Sequence, residues 1–103
     1  MKATGAREFF EELRGRALSV PPGEHASYRF DIEGTGSWRV TLAQGRADVT
    51  EGGGPADCAI ATDERTFVDI VNGERSPMAA FLAGKIRVEG DMRLALRLRD
   101  LFG

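Results

Sequence analysis

The chain carries a single histidine and a single cysteine, so its reactive inventory reduces first to His25 and Cys58. A Cys–His nucleophile pair needs a thiol that ionises beside the imidazole. Cys58 instead opens the small-residue run Cys58-Ala59-Ile60-Ala61-Thr62, where a thiol reads as a small buried hydrophobe. His25 sits in a Gly-Glu-His-Ala stretch and reads as a solvated loop residue. One histidine and one cysteine cannot build a typical zinc site without several carboxylates, and no ligand spacing is visible, so no metal is expected. Gly34-Thr35-Gly36 and Gly52-Gly53-Gly54 resemble phosphate loops only in composition. Neither is followed by a helix start or by the Gly-Lys-Ser/Thr of a P-loop, and both read as turns. Gly84-Lys85 follows a helical pattern and precedes a strand pattern, the reverse of that motif. The carboxylate pairs Glu11-Glu12 and Asp63-Glu64 are adjacent in sequence, where solvation and capping account for them. The residues make no positive case for catalysis, and no cofactor is expected.

The bulk properties narrow the field further. At 103 residues the chain suits one domain, 1–103, with too little length for two cores. Hydrophobic residues at 42% and charged residues at 29% fit an ordinary globular protein. The net charge of -2, with no basic patch interleaved with aromatics, argues against nucleic acid. From Lys85 to Gly103, five basic residues face three acidic ones; that imbalance reads as a solvated helix face or as a weak anion-facing rim. A lone cysteine cannot form an internal disulfide, which is compatible with a reducing cytoplasm. The N-terminus has acidic residues where a secretory signal keeps its apolar stretch, and the C-terminus carries neither a peroxisomal address nor a prenylation cysteine. No apolar run is long enough to cross a bilayer. A cytoplasmic protein without stable membrane insertion is therefore expected.

The elements that would position any site follow from periodicity. Ala6, Phe10, Leu13 and Ala17 recur at spacings of four, three and four, which predicts a helix over Ala6–Leu18 ending before Val20-Pro21-Pro22-Gly23. Tyr28 to Glu33 alternates apolar and charged, Ser37 to Leu42 alternates again after the glycine turn, and Gln44-Gly45 marks a second turn. A shorter strand follows through Ala47 and Val49, and a fourth covers Cys58 to Thr62. The short connections predict an antiparallel meander. The period then changes. Thr62 or Asp63 can cap a helix carrying Phe67, Ile70 and Val71 that ends at Asn72-Gly73. Ser76-Pro77 restarts a helix with a cap and a first-turn proline, and Gly84 stops it. Ile86 and Val88 alternate with Arg87 and Glu89 as a fifth strand. Gly90 ends that strand, Asp91 caps, and Met92 to Phe102 forms the last helix.

That last helix is more apolar than a helix lying on one side of a sheet needs. Met92, Leu94, Ala95, Leu96, Leu98, Leu101 and Phe102 cover most of its circumference, whereas an arc of about 100° would suffice. The surplus can face a deeper core, a partner or a ligand. Together with Met78, Phe81 and Leu82 it concentrates flexible apolar side chains that suit an adaptable apolar guest.

Residues Asp57 to Phe102 resemble the second half of the sterol carrier protein-2 (SCP2) domain family. The similarity rests on Ala80-Phe81-Leu82-Ala83-Gly84-Lys85, the alternating Ile86-Arg87-Val88-Glu89, and Gly90-Asp91-Met92 leading into the apolar helix. The first half fits in topology only. The resemblance implies an α/β fold of the α+β type, with a five-stranded, mostly antiparallel sheet, helices on one face and a hydrophobic cavity between them. It implies non-catalytic binding or transfer of a fatty acid, fatty acyl-CoA, sterol or phospholipid. Two positions depart from the family pattern: Arg93 stands where many relatives have glycine, and Ala83 where a longer side chain is common. On this reading the ligand lies between Trp38, Val40, Leu42, Ile86 and Val88 of the sheet and Phe67, Ile70, Phe81, Leu82, Met92, Ala95, Leu98 and Phe102 of the helices. Lys85, Arg93 and Arg97 would form a rim for an anionic headgroup. The alternative is a homodimerisation or docking module whose apolar last helix packs on a second copy or a partner enzyme.

Overall fold

The computed structural model describes residues 4–14, 25–43 and 46–102, with side chains as far as Arg97. The described elements are α1 (Ala6–Leu13), β1 (Ala26–Glu33), β2 (Gly36–Ala43), β3 (Arg46–Glu51), β4 (Cys58–Asp63), α2 (Glu64–Val71), α3 (Pro77–Leu82), β5 (Ile86–Gly90) and α4 (Met92–Phe102). The five strands form one sheet in the order β3-β2-β1-β4-β5. Strict alternation sends Tyr28, Phe30 and Ile32 of β1, Trp38, Val40 and Leu42 of β2, and Cys58 and Ile60 of β4 to one buried face. Register keeps them there, because Tyr28 stands opposite Val40 and Cys58, and Phe30 opposite Trp38 and Ile60.

The expected meander holds for β1, β2 and β3, which pair antiparallel. It fails at β4, which lies on the far side of β1 and runs parallel to it. The sheet is therefore mixed, with three of its four pairings antiparallel. The glycine run after β3, expected as a simple turn, is a crossover over the face opposite the core. The Gly52 N–H donates to the Ser37 carbonyl at 2.8 Å, and the Arg29 guanidinium donates to the Gly54 carbonyl at 2.9 Å. At Gly54 (φ 140°) a Cβ would stand 2.9 Å from the Arg39 guanidinium. The Arg39 side chain could move aside, but φ 140° is a conformation that favours glycine, here where the backbone lies down on two arginines that are cross-strand neighbours. A reciprocal pair ends the crossover: the Asp57 N–H donates to the Ser27 hydroxyl at 2.9 Å, and the Ser27 N–H to the Asp57 carboxylate at 3.1 Å.

Helices α1 and α2 bury apolar side chains on the other face. Helix α1 stops at Leu13, short of the predicted Leu18, with Arg14 already extended at ψ 124°. Its anchors Ala6, Phe10 and Leu13 are buried by then, and Gly15, a poor helix former, follows at once. The predicted remainder, and the breaker cluster Val20-Pro21-Pro22-Gly23, lie outside the described residues. Phe10 stacks on Trp38 with centroids 4.8 Å apart and on Phe67 at 5.2 Å. Phe30 meets both Phe10 and Phe67. Such pairs contribute about 0.5–1.5 kcal/mol each beyond area burial, so this aromatic cluster clamps α1 and α2 onto β1 and β2. The Glu64 carboxylate accepts from the Ala6 N–H at 3.0 Å and so satisfies one of the free donors at the start of α1.

Candidate functional site

The caps that place the second half of the chain are those its sequence announces. The Asp63 carboxylate accepts from the Thr66 N–H at 2.8 Å and from the Thr66 hydroxyl at 2.9 Å, and these bonds hold its pKa below the usual carboxylate value. The Ser76 hydroxyl accepts from the Ala79 N–H at 3.3 Å, with Pro77 in the first turn of α3. The Asp91 carboxylate accepts from the Arg93 N–H at 2.9 Å at the start of α4. Strand β5 pairs with β4 so that Ile86 and Val88 stand opposite Thr62 and Ile60, on the core face.

Helix α4 is fastened at two points. The Asp91 N–H donates to the Asp57 carbonyl at 3.0 Å. The buried Tyr28 hydroxyl donates to the Leu94 carbonyl at 2.9 Å. Burial, then the nearby Cys58, Asp91 and Asp57, pushes the Tyr28 phenol up from 10.0 to about 12. The Cys58 thiol is fully buried and is pushed up by burial and by Asp91 and Asp57. A nucleophilic thiol needs the opposite shift. His25 is exposed in its loop, so these two residues do not form a catalytic pair.

The residues expected to line an apolar site fall into three groups. Trp38, Val40, Leu42 and Phe67 are buried in the core; Phe10 covers the Trp38 ring, and the Arg7 guanidinium sits 5.3 Å from its centroid. Ile70, Ile86, Val88 and Ala95 are half-buried, and Leu94, Ala95, Ile86 and Val88 pack against the core from its edge. Phe81, Leu82 and Met92 are exposed, joined by Met78 and Leu96, and Leu82 exposes 77% of its surface. Helices α3 and α4 both pack on β5, so these side chains flank one edge strand. Leu98 and Phe102 belong to α4, but their side chains lie outside the described residues. Of the expected rim cations, Lys85 is exposed, and Arg93 is engaged by Asp91, with a guanidinium nitrogen 3.2 Å from the carboxylate. Arg97 is exposed as well.

A separate concavity of about 660 Å³ lies at the end of the sheet, lined by residues that include Asp31, Glu33, Ser37, Ala61, Asp63, Lys85 and Arg87. These belong to the face opposite the core, and alternation alone gave no sign of it. It is recognisable only once β4 is known to run beside β1, with the small Ala61 between longer side chains.

Comparison with known proteins decides the family. The SCP-2 sterol transfer family model matches residues 14–103. The chain belongs to this family. Hydroxysteroid dehydrogenase-like protein 2 of Xenopus tropicalis is 34% identical over 80 residues, which are 74% of this chain and 19% of that protein. Human sterol carrier protein 2 is 32% identical over 66 residues, 63% of this chain and 12% of that protein. The chain thus spans a fifth or less of the length of these curated relatives. Among solved structures, the sec-alkylsulfatase Pisa1 from Pseudomonas sp. aligns with a TM-score of 0.79 at 20% identity, covering 92% of this chain and 16% of that one. Palmitated SCP2L2 from Aedes aegypti aligns with a TM-score of 0.62 at 20% identity, covering 78% and 74%. These structures share the fold: a five-stranded mixed sheet with helices in an α+β arrangement. Among the described residues no helix is long and apolar enough to cross a membrane.

Proposed function

We propose that this SCP-2 family chain binds a hydrophobic ligand, such as a fatty acid, fatty acyl-CoA, sterol or phospholipid, and carries or presents it without chemical change. The observation that carries this reading is the exposure of Met78, Phe81, Leu82, Met92 and Leu96 on two helices flanking β5. Covering a large apolar side chain yields about 1.5–3 kcal/mol, so a ligand lying along several of them gains enough to bind before ordering costs. Ile70, Ile86, Val88 and Ala95 extend that surface inward. Trp38, Val40, Leu42 and Phe67 act from behind as a fixed wall, while Leu98 and Phe102 continue α4. Lys85 meets an anionic headgroup more readily than Arg93, which Asp91 already holds.

Displacement of a fluorescent fatty acid, with native mass spectrometry of the purified protein, tests the reading. Leu82→Asp should weaken binding at least tenfold, about 1.4 kcal/mol, at unchanged melting temperature because Leu82 is exposed. No saturable displacement by any of the four lipid classes would refute it. A second reading has its own support: in the relatives named above, the matched segment is a fraction of a longer chain. The same apolar helices would then dock on a catalytic domain or a second copy. Sedimentation showing a concentration-dependent dimer, lost on Leu82→Asp and indifferent to lipid, favours docking over carriage.

A further inference from the structure

The cleft at the sheet end lies on the face opposite the core and shares only Lys85 with the site proposed above, and its charges are arranged by sign. Register sets two rows across the sheet. Glu33 stands opposite Asp63, and Asp31 opposite Ala61, which in turn faces Arg87. Adjacent strands are about 4.8 Å apart, so the β1 and β5 walls are about 10 Å apart, with Ala61 as the low floor between them. The mouth is open beside its glycines: a Cβ at Gly34 or Gly84 would meet nothing within 4 Å.

Several polar groups around the cleft are already occupied. Asp31 accepts from Arg29 at 3.1 Å and from the Ser37 hydroxyl at 2.8 Å, and both Asp63 oxygens accept from Thr66. The Thr62 hydroxyl donates to the Lys85 carbonyl at 2.9 Å, which ties the start of β5 to the cleft wall. What is left is one carboxylate on the β1 side, Glu33, and two cations on the β5 side, the side chains of Lys85 and Arg87. Among the described residues none of these three makes an ion pair or a side-chain hydrogen bond, although Lys85 is near enough to Asp63 to favour its ionised carboxylate. Opposite charges on the two sides of the cleft, Glu33 beside Asp63 and Arg87 beside the small Ala61, favour a guest carrying both signs, since each charge-assisted hydrogen bond is stronger than its neutral counterpart.

We propose that this cleft binds a small zwitterion, its ammonium toward Glu33 and its phosphate or carboxylate oxygens toward Lys85 and Arg87. Phosphoethanolamine has that chemistry, either free or as a lipid headgroup. Exposed ion pairs are individually weak, so free phosphoethanolamine should bind in the millimolar range.

The test is an amide chemical-shift titration with free O-phosphoethanolamine, with inorganic phosphate in parallel, on the wild type and on Glu33→Gln and Arg87→Gln. Saturable shifts at Glu33, Ala61, Lys85 and Arg87, weakened about fivefold by either substitution, support the proposal. All three side chains are exposed, so neither substitution should alter the fold, and unchanged spectra elsewhere check this. Phosphate binding as tightly as phosphoethanolamine, affinity indifferent to Glu33→Gln, or absence of cleft shifts would overturn it. A second titration with lysophosphatidylethanolamine separates the sources. Shifts at the cleft together with α3 and α4 mark a lipid headgroup, and cleft shifts equal to those of the free compound mark a free zwitterion.

Discussion

Gly90→Ala should be the most damaging glycine-to-alanine change among the described residues. Gly90 closes β5 at φ 95°, and a Cβ there would land on the Asp57 carbonyl oxygen, 3.2 Å from its carbon and 3.3 Å from the Cys58 Cα. All three obstacles are backbone, and the backbone is pinned: Gly90 pairs with Cys58, and the next N–H, of Asp91, donates to the same Asp57 carbonyl. Two controls divide the cost. Gly73, at φ 76°, has nothing within 4 Å of a Cβ, so Gly73→Ala carries the left-handed penalty alone. That penalty is roughly 1–2 kcal/mol, reduced by about 0.4–1 kcal/mol because alanine also restricts the unfolded chain. A net loss of about 1 kcal/mol is expected. Gly53 has neither a positive φ nor a neighbour, so Gly53→Ala should stay within about 0.5 kcal/mol of wild type. Gly90→Ala adds overpacking of about 1–3 kcal/mol, for a total near 3 kcal/mol out of the roughly 5–15 kcal/mol of a small domain. Urea unfolding followed by the single buried Trp38 measures all three. A Gly90→Ala midpoint equivalent to within about 0.5 kcal/mol of Gly73→Ala would refute the close approach of β5 to β4.

Other outcomes follow from the ionisable groups and the caps. The chain has one tyrosine, so tyrosinate absorbance reads Tyr28 alone. Its midpoint should lie at about 12 in the folded protein and near 10 in urea. Because the folded value is raised, the Tyr28 contribution to stability is whole below pH 10 and is lost as pH climbs toward 12. Tyr28→Phe should flatten that alkaline loss while costing about 1 kcal/mol at neutral pH through the missing bond to Leu94; an unshifted tyrosinate midpoint would contradict the buried bond. Asp63→Ala should cost about 1 kcal/mol at pH 7. The Asp63 pKa is depressed, so the cap acts above the usual carboxylate range, and the difference between wild type and variant should shrink as pH falls through it. A difference independent of pH would show that the cap acts without its charge.

Alternation and capping were readable because they are local. Tyr28, Phe30 and Ile32 point inward for the reason the sequence alternates there, and Asp63 and Ser76-Pro77 start helices because their side chains or rings satisfy the first turn. The place of β4 was not readable, because alternation reports which face is buried and says nothing of which strand lies alongside. Nothing in Gly52-Gly53-Gly54 distinguishes a hairpin turn from a crossover until Arg29 and Arg39 are found beneath it. The candidate site was legible in part for a related reason. Composition marks Trp38 and Leu82 alike as apolar, but only packing shows that Phe10 covers the first and that the second remains exposed. The cleft was invisible because its floor, Ala61, belongs to a run that reads simply as small.

The crossover also fixes how an open edge travels during synthesis. Residues 26–51 can pair β1, β2 and β3 as soon as they emerge, leaving β1 with a bare row of amides beside Tyr28 and Phe30. That edge closes only when residue 63 has emerged, and β4 then becomes the open edge until residue 90 is made. Each addition hands the liability one strand outward. It comes to rest on β5, five residues long, with Arg87 and Glu89 alternating along it. A short, charged strand is a poor template for a stranger, so on this side of the sheet the nascent chain ends its exposure on a strand ill suited to recruit another, while β3 stays the edge on the other side.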